Sequence, residues 1–510
     1  MKKLLTAVFE FTCASVFAWN WADKGADVVI DENVTVANAD VEKVASLTSI
    51  QINSGFTLTF TNTQRVVLSA TLTGDGALNV GDGGAVTFSG NSLAYTGEMH
   101  FLNSKIVVTT DYGLGSGKKS DGTTQRFVYS DGSYHSTARP NSDGLMFSSG
   151  VTCKPGIYYY GSRTLDARTW FTQTMSDSLT FDGPVYINKP GNVDSVRVGN
   201  YIFNGEVGAE DSGHGTPGLE VYGIAYLNGG FKFPGSVSYC LVYVNNGAEI
   251  HLASKMKSFG GSGFFYGNGK VICDTNDVLP QAERVGLGQR NVKSGTLDLN
   301  GHNQTIYLLQ TPTDSKYFWD PTKDEQDYVS VTSAAPATLT MNGNLSTTYP
   351  FACRFAGAVS LSKTAGGTYT LVNQYSSSTG TLSVSAGTVE FKWGAGWGGD
   401  VQISGNGKVV FDDAYTSLNG LGRSRVVLSD TAKLVISNGV EISCTSLTLG
   451  TTEVVAGRTY TSADYPDWIE GDGSVRVLDV LVTRTWTGGG SGWNDSANWG
   501  GMPAPAAGQR

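Results

Sequence analysis

The sequence has 510 residues and a formal net charge of −10, with 66 glycines and only 16% charged residues. A disordered chain would have fewer aromatic residues than the 11% found here, and this much glycine opposes helices because each glycine costs about 1 kcal/mol inside one. The acidic balance argues against nucleic acid as a partner, since phosphate binding needs clustered Lys and Arg. We therefore predict an all-β chain punctuated by glycine turns.

Residues 1–18 have the layout of a secretory signal peptide. Met1, Lys2 and Lys3 form a positive head, residues 4–17 are mostly apolar, and Ala18 supplies a small residue for cleavage. We expect residues 1–18 to be removed near Ala18 and the mature protein to be secreted or held at the cell surface, associated with the outer membrane. The rival interpretation is an N-terminal strand.

Short segments with apolar residues at every second position follow, and this is the periodicity of strands that bury one face. Their outward positions are mostly Ser, Thr, Asp or Asn, and Gly, Asn and Asp separate them, as turns require. The clearest segments are Phe56–Phe60, Gly295–Leu299, Thr338–Met341, Thr381–Val384, Thr388–Phe391 and Leu434–Ile436.

A turn of the form Gly, then Asp or Asn, then Gly recurs, and each copy leads directly into an apolar strand. One such match would carry little weight, but four in one chain indicate a repeated structural unit. The four copies begin at Gly74, Gly267, Gly405 and Gly471.

The pattern of alternating strands and glycine turns is interrupted in residues 111–180 and in residues 311–328. We interpret both regions as loops or lateral insertions. Aromatic faces can stack on sugar rings, so the first region supplies candidate glycan-stacking residues, although packing under a loop or in the core is the alternative. The candidates are Tyr158, Tyr159, Tyr160 and Trp170, with Trp393 and Trp397 further along the chain. The second region holds the acidic cluster Asp320, Asp324, Glu325 and Asp327, which lacks EF-hand spacing and is interpreted as a solvated loop rather than a calcium site.

Strands that recur at short intervals with short turns fit either a β-sandwich or a β-solenoid. Length decides between them, because a uniform chain this long exceeds one sandwich, whereas a solenoid grows by adding coils that contact only their neighbours. We predict a β-solenoid with loop insertions over residues 19–483.

Residues 329–391 resemble the autotransporter-associated β-strand repeat found in passenger regions of bacterial surface proteins. The matching segments are Thr338–Met341, Phe355–Gly357, Leu361–Lys363, Gly367–Leu371 and Ser385–Val389, and residues 297–306 are similar to the family's LDLNG-x-NQTI segment. The resemblance implies a right-handed parallel β-helix that is exported and held outside the cell.

The end of the sequence departs from that family's pattern. Such proteins often end in a translocating β-barrel, and we expect the anchor or barrel to lie outside this chain. Residues 484–510 contain Trp486, Trp493 and the pair Asn498-Trp499, which resemble an element that opens a module in related exported proteins. We expect a second module to begin near residue 484 or, alternatively, a short tail.

The sequence carries no recognisable catalytic motif. The five histidines show no metal-ligand spacing, and nucleophile-elbow and P-loop patterns are absent. The five cysteines after Ala18 include no C-x-x-C pair, so we expect most to be small buried residues; a Cys240–Cys273 disulfide is the alternative for one pair. We therefore expect neither a metal nor another cofactor.

We interpret the chain as an exported, surface-associated structural or adhesin-like protein that is not an enzyme. Two alternatives stay open: a secreted β-helix enzyme, lyase or hydrolase, acting on polysaccharides, and a non-catalytic module binding cell-surface or extracellular glycans. An enzyme would need carboxylates and a base on adjacent coils, but the sequence shows only isolated outward charges such as Asp298 and Glu390.

Overall fold

In the computed structural model the protein is described over residues 19–479, apart from 103, 131–144, 161–177, 189–193, 209–216, 233–238, 257–261, 282–283, 288–294, 311–328, 345, 347–352, 373–376, 393–394 and 413–423. The chain divides into two compact units, residues 1–271 and 272–510. Both are built from stacked parallel coils, so the predicted all-β solenoid is confirmed.

The first unit begins with two 3₁₀ turns, Trp21–Asp23 and Asn38–Asp40, and one short helix, α1 (Val41–Ala45). Its strands are β1 (Asp27–Ile30), β2 (Val34–Val36), β3 (Ser49–Ile52), β4 (Thr57–Phe60), β5 (Val66–Leu68), β6 (Thr71–Gly74), β7 (Ala77–Val80), β8 (Ala85–Phe88), β9 (Met99–Leu102), β10 (Lys105–Val108), β11 (Arg126–Ser130), β12 (Leu145–Phe147), β13 (Thr152–Cys153), β14 (Gly156–Tyr160), β15 (Ser178–Phe181), β16 (Val185–Asn188), β17 (Asp194–Val198), β18 (Asn200–Phe203), β19 (Val207–Gly208), β20 (Pro217–Val221), β21 (Ile224–Leu227), β22 (Phe231–Lys232), β23 (Tyr239–Val244), β24 (Glu249–Leu252) and β25 (Ser262–Gly267).

Strand β26 (Lys270–Cys273) contains the division between the units. The second unit has strands β27 (Arg284–Leu287), β28 (Gly295–Asp298), β29 (Gln304–Ile306), β30 (Leu308–Gln310), β31 (Val329–Met341), β32 (Cys353–Lys363), β33 (Thr368–Leu371), β34 (Ser377–Ser378), β35 (Leu382–Val384), β36 (Thr388–Phe391), β37 (Val401–Ile403), β38 (Lys408–Phe411), β39 (Arg425–Leu428), β40 (Lys433–Ile436), β41 (Glu441–Cys444), β42 (Ser446–Leu449), β43 (Thr452–Glu453), β44 (Arg458–Thr461), β45 (Ile469–Glu470) and β46 (Ser474–Val477).

Each sheet pairs strands from successive coils. In the first unit the orders are β1-β3-β6, β5-β8-β10-β12, β2-β4-β7-β9-β11-β14-β16-β19-β22, β13-β15-β18-β21-β24 and β17-β20-β23-β25. In the second they are β27-β30, β28-β31-β32-β35-β37-β39-β42-β43, β33-β36-β38-β40-β45 and β41-β46-β44, with β29 beside β31 and β34 beside β32.

The core of each unit is made of apolar columns that run from coil to coil. The alternation predicted from sequence places Val, Leu, Ile and Phe inward, where they are almost fully buried. The parallel register places identical side chains of successive coils on top of one another. The ring centroids of Phe181 and Phe203 therefore lie 5.1 Å apart, and those of Phe391 and Phe411 lie 5.0 Å apart. Such columns let every coil bury its apolar face against the next.

The recurring glycine turn has a steric cause. A Cβ added to Gly76 would lie 2.3 Å from the Asn53 carbonyl oxygen, and one added to Gly407 would lie 2.2 Å from that of Val384, in both cases the coil before. Gly74 and Gly405 also have positive φ angles. These turns therefore accept glycine alone, because the backbones of neighbouring coils touch there.

Coil length varies, and long coils fall at both predicted insertions as well as between Leu434 and Ile469. Leu382 pairs with Val401, a short step along the chain, whereas Ile106 pairs with Leu145 across a step about twice as long. Gly295 pairs with Val329 across another long step. The parallel register continues across both regions, as expected for lateral insertions into a solenoid.

Antiparallel strands interrupt the parallel stack between residues 446 and 477. β43 pairs with β42, and β44 pairs with β46, each in the antiparallel sense. In the described residues, β43 and β44 each lie at the end of the strand order of their sheet.

Polar side chains also connect successive coils. Asn228 Nδ2 donates to Asn204 Oδ1 at 2.9 Å, Asn204 Nδ2 donates to Asp182 Oδ1 at 2.8 Å, and Lys154 Nζ lies 2.7 Å from Asp182 Oδ2. Serine and threonine hydroxyls act similarly, since Thr445 Oγ1 donates to the Ser424 carbonyl of the coil before at 3.0 Å. Side chains at the corners of the coils therefore reinforce the backbone ladder.

Candidate functional site

Neither a metal site nor a membrane-spanning helix is found among the residues that the structure describes. In that part of the chain, no group of three or more His, Cys, Asp or Glu could hold a metal ion. Over the same residues, no helix has the length and apolar character to cross a bilayer. Two clusters of charged or aromatic side chains lie on the outward faces of the coils, one in each unit, where most neighbouring side chains are Ser and Thr.

The first cluster contains Tyr158, one of the predicted glycan-stacking residues. Tyr158 lies on the face of β14 opposite the core residue Ile157, in register with Val128 on one neighbouring strand and Tyr186 on the other. Although this face points outward, Tyr158 is only 8% exposed. Its ring is covered on both sides by neighbours from adjacent coils.

Those neighbours form a column that we call the tyrosine stack: Arg126, Tyr158, Tyr186 and Lys232. The guanidinium carbon of Arg126 lies 4.1 Å from the centroid of the Tyr158 ring, and the Tyr158 and Tyr186 rings are 5.4 Å apart. Lys232 Nζ lies 5.4 Å from the Tyr186 centroid. A cation therefore sits at each end of an aromatic pair, an arrangement that the negative ring faces favour.

A carboxylate completes this surface. The Tyr186 hydroxyl donates to Glu206 Oε1 at 2.8 Å and fixes the orientation of the ring. The stack thus offers an apolar face, a carboxylate acceptor and two cations on neighbouring coils. The sequence interpretation does not include Tyr186, Glu206, Arg126 or Lys232, although Tyr186 follows Tyr158 by one coil.

The other predicted stacking residues contribute less. In the strand register Tyr159 pairs with Ile187 and Tyr160 pairs with Asn188, while their side chains lie outside the described part of the structure, as does all of Trp170. Trp393 and the acidic cluster at 320–327 also fall outside it. Trp397 is a core residue, 1% exposed, and its indole N–H donates to the Gly380 carbonyl at 2.7 Å.

The second cluster surrounds Glu390 in the second unit, and it corrects the interpretation of that residue as an isolated charge. Lys392 Nζ lies 3.1 Å from Glu390 Oε1 and 3.4 Å from Asp412 Oδ2, and Thr370 Oγ1 donates to Glu390 Oε2 at 2.7 Å. Because β36 pairs with β38 in parallel, Asp412 follows Lys392 by one coil. The sequence alone does not mark this pairing, because the coil length that places Asp412 beside Lys392 follows only from the strand register.

The surroundings of this cluster change the pKa of Asp412 and that of Lys392. Partial burial and the neighbouring Glu390 carboxylate raise the pKa of Asp412 above its usual range, and Lys392 opposes that rise only in part. Partial burial works against the charged form of Lys392, but its contacts with Glu390 and Asp412 raise the pKa of this ammonium. The cluster therefore pairs a carboxyl that retains its proton more readily with a lysine that stays charged.

Motif residues in the region that resembles the passenger repeat have structural partners. The Lys363 ammonium is buried in the core and donates to the carbonyls of Gly343, Ala365 and Gly366. Gln304 is also fully buried: its Oε1 accepts from the amide of Val278 at 2.9 Å and its Nε2 donates to the Thr275 carbonyl at 2.8 Å. Both polar side chains satisfy backbone groups inside a coil, as burial requires.

The cysteines are inert where they are described. Cys153, Cys273, Cys353 and Cys444 are buried and free, so the alternative Cys240–Cys273 disulfide is absent and the expectation of small buried residues is confirmed for these four. Burial raises the pKa of every one of these thiols, that of Cys444 to about 12.

Comparisons with known proteins return no match to a family model, a curated protein or a solved structure. The likeness to the autotransporter-associated repeat therefore stays a prediction. What the structure defines is the class of fold, a parallel β-solenoid with two chemically distinct outward clusters.

Proposed function

We propose that this chain is an exported, surface-associated solenoid that serves as a structural, adhesin-like stalk and performs no catalysis. The observation that carries this proposal is the parallel strand register that passes from coil to coil within each unit, reinforced by side-chain bonds such as those of Asn204 and Asn228. A fold of this kind extends by repetition, and it presents loops and outward side chains along its length.

The proposed location rests on residues 1–18, with their positive head, apolar run and Ala18. Fractionation of the native cells, followed by an immunoblot with antibody against residues 200–450, tests it. We expect the protein in the outer-membrane fraction or the medium. Recovery of the wild-type chain with a cytosolic marker protein would contradict export.

A matched variant makes the location test specific. Leu5→Arg places a charge in the apolar run of the signal peptide and leaves every described residue unchanged. We expect this variant to stay inside the cell at its full precursor mass, because a charged residue disrupts the apolar segment that export requires. Equal export of both chains would show that residues 1–18 are not the export signal.

A second candidate function is that of a polysaccharide-active enzyme, and the cluster around Glu390 is the observation that favours it. Hydrolysis of a glycosidic bond uses one carboxyl as an acid and a second as a base or nucleophile, and a raised pKa suits Asp412 to the acid role. New reducing ends released from a polysaccharide panel, and lost in both Glu390→Gln and Asp412→Asn, would support it.

The control for that assay is Glu470→Gln on the same sheet. Glu470 lies 3.5 Å from Lys408 Nζ and 3.3 Å from Lys433 Nζ, so it is an ion-paired carboxylate outside the cluster. If the wild type releases no products, or if all three variants release as much as the wild type, Glu390 and Asp412 are not catalytic.

A further inference from the structure

We propose that Asn246 is a site of spontaneous covalent modification, in which its side-chain amide is lost and aspartate or isoaspartate replaces it. Water is the only co-reactant, and the inference does not depend on the proposed function. Asn246 and Gly247 lie in the turn between β23 and β24, and both residues are exposed. The evidence is the hydrogen bonding of the glycine amide in each Asn-Gly pair of the described chain.

An asparagine followed by glycine carries an electrophile and a nucleophile in one dipeptide. The Gly247 nitrogen loses its proton to a solvent base and attacks the side-chain carbonyl carbon of Asn246. This C–N bond closes a succinimide ring, while the bond from Cγ to Nδ2 breaks and releases ammonia, which takes its third proton from water. Water then opens the ring at either carbonyl and gives aspartate or isoaspartate. Glycine favours the attack because no Cβ shields its nitrogen.

The sequence repeats this dipeptide at many turns, and exposure of the asparagine does not distinguish the copies. Every asparagine of an Asn-Gly pair in the described residues has an exposed side chain. These pairs begin at Asn204, Asn228, Asn246, Asn268, Asn300, Asn342, Asn406 and Asn438. A difference in reactivity among them therefore has to come from the backbone.

The hydrogen bond of the glycine amide does distinguish the copies. The Gly269 amide donates to the Val244 carbonyl at 3.0 Å. The same is true of the other pairs, whose donating amides are those of Gly205, Gly229, Gly301, Gly343, Gly407 and Gly439. By contrast, the Gly247 amide donates no hydrogen bond within the residues that the structure describes. A bonded amide becomes a nucleophile only when its coil opens locally, so Gly247 is the reactive one.

The turn around Asn246 leaves this amide free while the residues beside it are held in place. The Ala248 amide donates to the Asn245 carbonyl at 2.9 Å, and Asn245 Nδ2 donates to the Val221 carbonyl at 2.9 Å. Gly247 has a φ of 76°, and a Cβ added to it would meet nothing within 4 Å. A solvent base therefore reaches the Gly247 nitrogen in the folded protein.

The modification would change the turn in two ways. Either product adds a negative charge to a chain whose net charge is already −10. Isoaspartate also inserts a methylene into the backbone of the turn, against which Gly269 of the next coil packs. A Cβ on Gly269 would lie 2.5 Å from the Asn245 carbonyl oxygen and 2.6 Å from that of Ala248, so this contact has no room for a longer backbone.

The test incubates the purified full-length chain at pH 8 and follows the loss of each side-chain amide by peptide mass spectrometry. Trypsin places Asn246 in peptide 233–255 and Asn268 in peptide 258–270, so the two sites are scored separately. Asn268 is the matched control, an exposed asparagine one coil further on whose glycine amide is bonded. We expect Asn246 to react about tenfold faster or more, because the Gly269 amide has to be released by local opening first.

Unfolding and substitution make the test specific. In urea, where the hydrogen bond of Gly269 is lost, Asn246 and Asn268 should react at similar rates. Asn246→Gln should remove most of the mass change from peptide 233–255, and Asn268→Gln should leave it unchanged. Two results would overturn the proposal: Asn246 reacting no faster than Asn268 in the folded protein, or the same ratio of rates in urea, since the local sequence would then set the rate.

Discussion

Lys363 shows how a single charged side chain can be part of a solenoid core. Its ammonium is surrounded by the carbonyls of Gly343, Ala365 and Gly366, and its aliphatic stem continues the inward column between Met341 and Val384. Burial lowers the pKa of this ammonium. A neutral side chain of the same length would fill the space and leave the three carbonyls without their donor.

We therefore predict that Lys363→Met destabilises the protein by about 2 kcal/mol, since buried acceptors that lose a donor cost about 1–3 kcal/mol. Urea unfolding followed by circular dichroism measures the change. Lys392→Met removes a partly exposed ion pair and should cost less than about 1 kcal/mol. Equal effects of the two substitutions would contradict the special role of the buried ammonium.

Asp412 makes stability depend on pH in a defined direction. Its folded-state pKa lies above the ordinary value of 3.8, so the protonated form is favoured by folding, and this contribution to stability is lost as pH rises through the raised pKa. Asp412→Asn mimics the protonated form. We expect the variant to be more stable than the wild type at pH 7, by less than about 1 kcal/mol for a group that water reaches.

Thermal unfolding of the wild type and of Asp412→Asn at pH 7 and pH 3 tests the predicted gain in stability. The advantage of Asp412→Asn should vanish at pH 3, where the wild-type carboxyl is protonated as well. A constant difference between the two proteins at both pH values would show that the titration of Asp412 does not contribute.

At the scale of the element, the glycine turns set the distance between coils. A Cβ added to Gly407 would lie 2.2 Å from the Val384 carbonyl oxygen, whereas a Cβ on Gly366 would meet nothing within 4 Å. We predict that Gly407→Ala costs about 1–3 kcal/mol through overpacking, while Gly366→Ala is close to neutral. Urea midpoints of the two variants provide the comparison, and equal midpoints would contradict the steric explanation.

Strands and turns were predictable from sequence because each depends on local pattern. The segments at 388–391 and 434–436, and the glycine turns at 74 and 405, are where periodicity placed them. The side-chain partners were not predictable in the same way, because they depend on coil length, which differs about twofold between the shortest and longest steps of the described parallel pairings. The contact of Lys392 with Asp412 and that of Tyr158 with Tyr186 each need the length of one particular coil, and no local pattern fixes either.

At the scale of the whole molecule, a solenoid is stabilised by contacts between neighbouring coils rather than by one central core. We predict that the buried thiols of Cys153, Cys273, Cys353 and Cys444 resist a maleimide reagent in the native protein. As urea rises they should react at different concentrations, because coils can open separately. Peptide mass spectrometry of labelled protein identifies each site, and simultaneous reaction of all four would indicate a single cooperative transition.

The short sequence distance between paired strands has a consequence for how the chain acquires its structure. Even the longest step among the described parallel pairings, from Ile106 to Leu145, spans a small part of the chain, so a strand finds its partner soon after both have left the ribosome or a secretion pore. Low contact order of this kind favours rapid folding. A polypeptide that leaves the ribosome or a pore end first would then fold coil by coil as it emerges. Each folded coil would oppose movement of the chain back into the pore.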